Sequence, residues 1–174
     1  MAGRRKVSDT LELGQMKAAV AAFRRAIDEA DRDQWGASFD NFPRGSCGVT
    51  AALLGLYLSR SFGWQPRYVE ATRDLPNGKI ASHAWLEWEG WIIDITADQD
   101  GQAPLIFTRE SPYHATWDAR FHEPGAFAGP QAWGAFPHRA WGDITKAMES
   151  AGFPIANVYQ TWSNGHFKGD VENE

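Results

Sequence analysis

The sequence has a single cysteine in 174 residues, which excludes an internal disulfide and a four-cysteine zinc site. It also lacks an excess of positive charge. The formal net charge is -5, and no basic stripe extends beyond Arg4-Arg5-Lys6 and Arg24-Arg25, which argues against a nucleic-acid partner. Long apolar runs are missing too. The stretch Leu11–Ala22 is broken by Glu12, Gln15 and Lys17, so it is no secretory h-region, and nothing approaches the length of a membrane span. Neither GxxxxGK(S/T) nor GxGxxG occurs, and no HExxH pairs the histidines. The expectation from these absences is a protein of a reducing cytoplasm, with no membrane partner, no cofactor and no metal.

The length suits one domain with a sizeable core. Nine tryptophans are a high load, most of them expected in a core or lining a groove. Residues 1–9 read as a flexible polar arm. From Thr10 to Ala30, Leu13, Met16, Ala19, Val20, Phe23 and Ile27 fall on one helical stripe with charge on the other faces, the pattern of an amphipathic helix. Asp40–Gly45 is a loop that feeds a second helix, in which Val49, Ala52, Leu53, Leu56 and Tyr57 recur at helical spacing. That helix is apolar nearly all round, so it is expected inside the domain, ending at Gly63.

Strand composition then takes over. Gln65–Arg73, Ala81–Trp88, Trp91–Thr96 and Leu105–Thr108 read as strands. Asp74–Lys79 is a turn, and Glu89-Gly90 is a two-residue hairpin loop. Beyond Glu110 one helix is legible, His138–Ala151, stopped by Gly152 and Pro154. The fold class expected is α+β, a buried helix packed on an antiparallel sheet. Residues 10–168 form a single domain, 116–168 being its poorly readable extension, and 169–174 an acidic tail.

Cys47 opens the apolar helix. Unpaired N–H groups and the macrodipole at a helix start lower a thiol pKa, and the thiolate is the nucleophile. Ser46 is placed to act as N-cap. A nucleophilic cysteine needs a base, usually oriented by a third group. The hairpin register supplies both. With Trp88 opposite Trp91, alternation puts His83, Trp85, Asp94 and Thr96 on one face, His83 and Asp94 as diagonal neighbours. A one-residue slip would send Asp94 to the other face.

Each residue also has a plainer role. Cys47 alone reads as a buried structural thiol, His83 as a hydrogen-bonded half-buried histidine, and Asp94 as a strand-end residue binding the next turn. A Cys-His-Asp zinc site is a further option, with no fourth ligand in view. His114, His122, His138 and His166 read as surface or turn histidines.

The segments FPRGSCGVTAALL, SHAWLEWEGWIIDITADQ and, more loosely, the stretch to SPYH resemble the transglutaminase-like branch of the papain-like cysteine enzymes, over about residues 36–115. The resemblance implies a papain-like (transglutaminase-like) core, Cys47 as nucleophile, His83 as general base and acid, and Asp94 as the residue that orients His83. The family pattern carries an amide side chain before the nucleophile, and Asn41 stands for it here as an oxyanion donor or as a turn residue. Trp85 shields the imidazole, lines the acyl groove, or simply packs. Asp98 and Gln99 are given no chemical role.

The activity implied is cysteine-dependent acyl transfer on a peptide or side-chain amide through a thioester. It is a hydrolase (peptidase or deamidase) on the first reading, and a transglutaminase or amine N-acyltransferase on the second. A non-catalytic binding module with an inert Cys47 is the third. The partner is a protein or peptide substrate. Small bacterial members of the superfamily include intracellular proteases and effector toxins, so delivery as an effector stands beside the cytoplasm.

Overall fold

A computed structural model of the chain describes residues 3–121 and 136–153. Among them are three α-helices and five strands: α1 (Gly3–Asp28), α2 (Cys47–Phe62), β1 (Arg67–Asp74), β2 (Ile80–Trp88), β3 (Trp91–Asp94), β4 (Ile106–Thr108), β5 (Asp118–Phe121) and α3 (His138–Ser150). Every strand pairs antiparallel with its neighbour, in the order β4-β3-β2-β1-β5. The α+β class expected from the sequence is what the described residues adopt.

The first helix begins at Gly3, seven residues before the predicted Thr10. No proline interrupts Arg4–Asp9, and the helix continues through the segment read as an arm. The expected stripe is the buried one: Met16, Ala19, Val20, Phe23 and Ile27 are fully buried. The second helix starts at Cys47 and ends on Gly63, whose φ of 70° gives the left-handed cap that glycine takes without steric cost. Leu53, Leu54, Leu56, Tyr57 and Leu58 are all within 2 % of full burial, each contributing roughly 1.5–3 kcal/mol. Ala140, Trp141, Ile144 and Met148 of α3 join the same core, and Trp35 Nε1 donates to Asp143 Oδ2 at 2.9 Å.

The sheet has two differently furnished faces. Leu86 and Ile93 belong to the core built by the helices. The opposite face carries a second cluster of Val69, Ala71, Trp85 and Trp117. The hairpin register is the expected one, Trp88 opposite Trp91 and Leu86 opposite Ile93. Its loop has positive φ at both residues, 46° for Glu89 and 77° for Gly90, the twist that suits a two-residue turn.

Two strand expectations need correction. The third strand stops at Asp94, two residues short, because the Asp94 carboxylate takes the Thr96 N–H into a local turn. β5 lies in the stretch read as a poorly readable extension. Its four residues, DARF, alternate over only the shortest run that signals a strand, and they are held by pairing with β1, from Val69 opposite Phe121 to Thr72 opposite Asp118. The expectations for 122–135 and for the tail lie outside the described residues, as do His122 and His166. No helix among the described residues is long and apolar enough to cross a membrane.

Candidate active site

The start of α2 is left without a side-chain cap. Ser46 occupies the N-cap position, but its hydroxyl donates to Ser38 O at 2.6 Å instead of accepting from the first turn. The expectation that Ser46 caps the helix is thus corrected. The field of the first-turn N–H groups falls instead on Cys47, the residue that follows.

Cys47 is half-buried. Burial alone would raise its thiol pKa, but hydrogen bonds to His83, to the Gln99 side chain and to the Ala84 backbone, with the charge of His83, bring it below its ordinary value. The β2–β3 ladder ends at Leu86 opposite Ile93. Past that point β2 is no longer paired with β3, and there Cys47 and Gln99 meet His83 and Ala84.

His83 and Asp94 meet as the register requires. His83 Nε2 donates to Asp94 Oδ2 at 2.6 Å, with both side chains fully buried. Burial would lower the imidazole pKa. The hydrogen bonds and charges of Asp94 and Cys47 outweigh it and push the value up to about 9. Burial would raise the Asp94 pKa, but hydrogen bonds from His114, His83 and the Thr96 backbone hold it far below the usual carboxylate range. Asp94 Oδ1 accepts from Thr96 N at 2.8 Å and Thr96 Oγ1 at 3.2 Å. Asp94 therefore fills both roles read for it, binding the following turn with one oxygen and the histidine with the other.

Gln99 is the residue that sequence reasoning passed over. Its amide contacts His83 Nδ1. With the amide nitrogen on Nδ1 the ring would have to be unprotonated there. In the ion-pair form Nδ1 carries a proton, and the amide, turned over, accepts it through Oε1 and presents Nε2–H to the thiolate. The loop that carries Gln99 is fixed from beneath by Arg24 of α1. Arg24 donates to Ile95 O at 2.7 Å, Pro104 O at 2.9 Å and both Asp98 oxygens at 2.8 and 3.0 Å. A helical charge expected on a solvated face is thus 8 % exposed.

For Asn41 and Trp85 the structure fits the plainer of the roles read for each. Asn41 is exposed in the turn before α2, where its carbonyl accepts from Arg44 N at 2.8 Å, and it does not line the cavity at the thiol. The reason is the tight turn Asn41–Gly45, which directs the loop outward. Trp85 is 2 % exposed, its ring 5.7 Å from that of His83. It packs beside the imidazole and is not among the residues lining the cavity at the thiol. His114, read as a surface or turn histidine, is in a single helical turn but buried, and its Nε2 donates to Asp94 Oδ2 at 3.0 Å. His138 is exposed, as expected.

In front of the thiol lies a cavity of about 420 Å³, bounded by Cys47, Gly48, Tyr68, His83, Asp118 and Arg120 among others. The Tyr68 hydroxyl sits over Gly48, 3.1 Å from where a Cβ would be. Its pKa is pushed up to about 12 by burial, Glu70 and Cys47, so it stays a donor.

His83, Asp94 and His114 also form a grouping of metal-ligand types. Their N···O separations, 2.6 and 3.0 Å, are those of direct hydrogen bonds. Ligands at about 2.0–2.2 Å around a tetrahedral zinc stand about 3.3–3.6 Å apart. The three side chains are joined by hydrogen bonds through Asp94 Oδ2. No family model matches the chain, and neither a curated protein nor a solved structure matches it.

Proposed function

We propose that the chain is a cysteine-dependent acyl-transfer enzyme of the transglutaminase-like branch of the papain-like superfamily, hydrolysing a peptide or side-chain amide. The observation that carries this reading is the meeting of three side chains: His83 Nε2 donates to Asp94 Oδ2 at 2.6 Å, and the same imidazole stands with the Cys47 thiol at an open cavity. The chain order of the three residues, with Cys at a helix start and His and Asp on successive strands, supports the family.

The chemistry follows from the parts. The Cys47 thiolate attacks the amide carbon, and the carbonyl π electrons move to oxygen. The first-turn N–H groups of α2 hold that oxyanion, and the Gln99 amide, in contact with His83 Nδ1, keeps the imidazole turned towards the sulfur. Collapse expels the amine, which takes the Nδ1 proton of His83 and leaves a thioester. His83 then removes a proton from water, whose oxygen displaces sulfur and releases the acid. Asp94 stays ionised throughout and holds the ring. The cavity is open at the thiol, so water reaches the thioester and serves as the acceptor in this reading.

A cysteine-directed electrophile followed by peptide mass spectrometry tests the reading. The label is expected on Cys47, with a reaction rate that persists well below pH 8.5, and Cys47→Ala is expected to lower turnover by on the order of 10⁴-fold. A thiol that titrates near 8.5 or resists labelling would return Cys47 to the inert class.

A further inference from the structure

We infer that His114 is a positioning residue of this site, with Ser111 behind it, and that it fixes the Asp94 carboxylate from the side away from the thiol. The inference rests on the catalytic reading above and adds two side chains to it.

The geometry is specific. Asp94 Oδ2 accepts from two imidazoles, His83 Nε2 at 2.6 Å and His114 Nε2 at 3.0 Å. A carboxylate only accepts, so both Nε2 atoms carry protons. The other His114 nitrogen, Nδ1, is 2.7 Å from Ser111 Oγ. That oxygen already accepts the His114 backbone N–H at 3.3 Å, which leaves its own proton for Nδ1. Ser111 thereby selects the tautomer that can serve Asp94. Ring contacts hold the imidazole in plane, with Trp85 at 4.7 Å and Tyr113 at 4.9 Å between centroids.

His114 is 5 % exposed and does not line the cavity, so it does not touch substrate. Its effect passes through Asp94. With Thr96 on Oδ1 and two rings on Oδ2, the carboxylate is bound in every direction and cannot swing from His83 without breaking several bonds at once. A donor on Oδ2 also makes that oxygen a poorer base, so the proton stays on His83. Without His114 the carboxylate keeps Thr96 and His83 but loses its lateral restraint on Oδ2, so the imidazolium is aligned less precisely and pairs less well with the thiolate. The titratable groups around this carboxylate are His83 from β2 and, from the β4–β5 connection, His114 and Tyr113. Beyond Tyr113 lie Arg73 and Asp100.

The pH profile of Cys47 alkylation by iodoacetamide provides the test, in the intact chain and in His114→Leu, His114→Gln and Ser111→Ala. In His114→Leu the apparent thiol pKa is expected to rise by about one unit, which is about tenfold less thiolate at pH values below it. His114→Gln keeps an N–H near the Nε2 position and is expected to recover most of the loss. Ser111→Ala is expected to shift in the same direction by less. Long-range ¹⁵N–¹H spectra of the wild type are expected to show His114 as the Nε2–H tautomer, a readout that stands even where His114→Leu does not fold.

An unchanged profile in a folded His114→Leu protein, an equal loss in the Gln and Leu variants, or the Nδ1–H tautomer would each overturn the inference. So would one equivalent of zinc carried by the purified chain. A wild-type thiol of ordinary pKa would instead remove the catalytic reading itself, so the two failures are distinguishable.

Discussion

His83 and Leu86 stand three residues apart on one strand and live in opposite chemistries. Leu86 faces a core of carbon, where α1, α2 and α3 bury aliphatic and aromatic side chains against the sheet. His83 faces four hydrogen-bonding side chains, Asp94, Gln99, Cys47 and, across Asp94, His114. The first environment is held by area removed from water, which has no direction and tolerates a swap of similar volume. The second is held by donors and acceptors in fixed places, and it loses heavily if one member is removed, since the partners stay buried without it. Stability and reactivity are therefore expected to separate cleanly across the thickness of one sheet.

Asp94→Ala is the largest way to probe that separation. It removes the anchor shared by two imidazoles, so the Cys47 thiol is expected to return towards its ordinary pKa and turnover to fall by roughly 10³–10⁴-fold. The iodoacetamide profile reads the first effect without knowledge of the substrate. Phe23→Ala does the opposite. Phe23 is fully buried in the helix-side core, its ring 5.5 Å from that of Tyr57, and its truncation is expected to cost about 3–5 kcal/mol of unfolding free energy. The alkylation profile of the protein that remains folded should be that of the wild type. A shifted thiol pKa in Phe23→Ala would show that the two faces are coupled and that the comparison fails.

The same division explains which parts of the molecule are legible in its amino-acid sequence. Amphipathic spacing in α1 and α2 and the hairpin at Glu89-Gly90 are local rules with fixed periods, and the rules carry far. The two-residue loop sets the register, the register sets the face, and the face brings His83 to Asp94. Gln99 and His114 arrive by another route. Gln99 is delivered by a loop that begins where Asp94 ends β3 and is tied down by Arg24, 71 to 80 residues distant from the carbonyls it binds. His114 is delivered by a turn between two short strands. No period links either residue to His83, so composition and spacing carry no trace of the meeting. One signal is present in the run Ile92–Ile95, where a carboxylate among isoleucines calls for partners; it implies one histidine, and the carboxylate takes two. Asn41 shows the converse: of the two roles read for it, the local one, a turn residue, is the one it fills, and the one carried from a family pattern is not seen.

The smallest effect is expected from pH alone, and its sign separates the faces again. Asp94 has a folded pKa below its ordinary 3.8, so its contribution to stability is present above that value and is lost as pH falls towards the folded one. His83 has a folded pKa of about 9 against an ordinary 6.5; its contribution is complete below 6.5 and is lost as pH rises through 9. Cys47, lowered from 9.0, runs the other way, since its contribution grows with pH and partly masks the alkaline loss of His83. In Cys47→Ser that masking is gone, while the Asp94 bond that first raises His83 remains. The Tm of this variant is therefore expected to hold level between about pH 4 and 6.5 and to decline by a few degrees towards pH 9. His83→Gln placed on the same background should abolish that alkaline decline, because it removes the buried imidazolium whose proton is lost there. If the decline survives the loss of His83, the alkaline sensitivity belongs to another part of the molecule, and the buried imidazolium contributes less to the fold than its contacts imply.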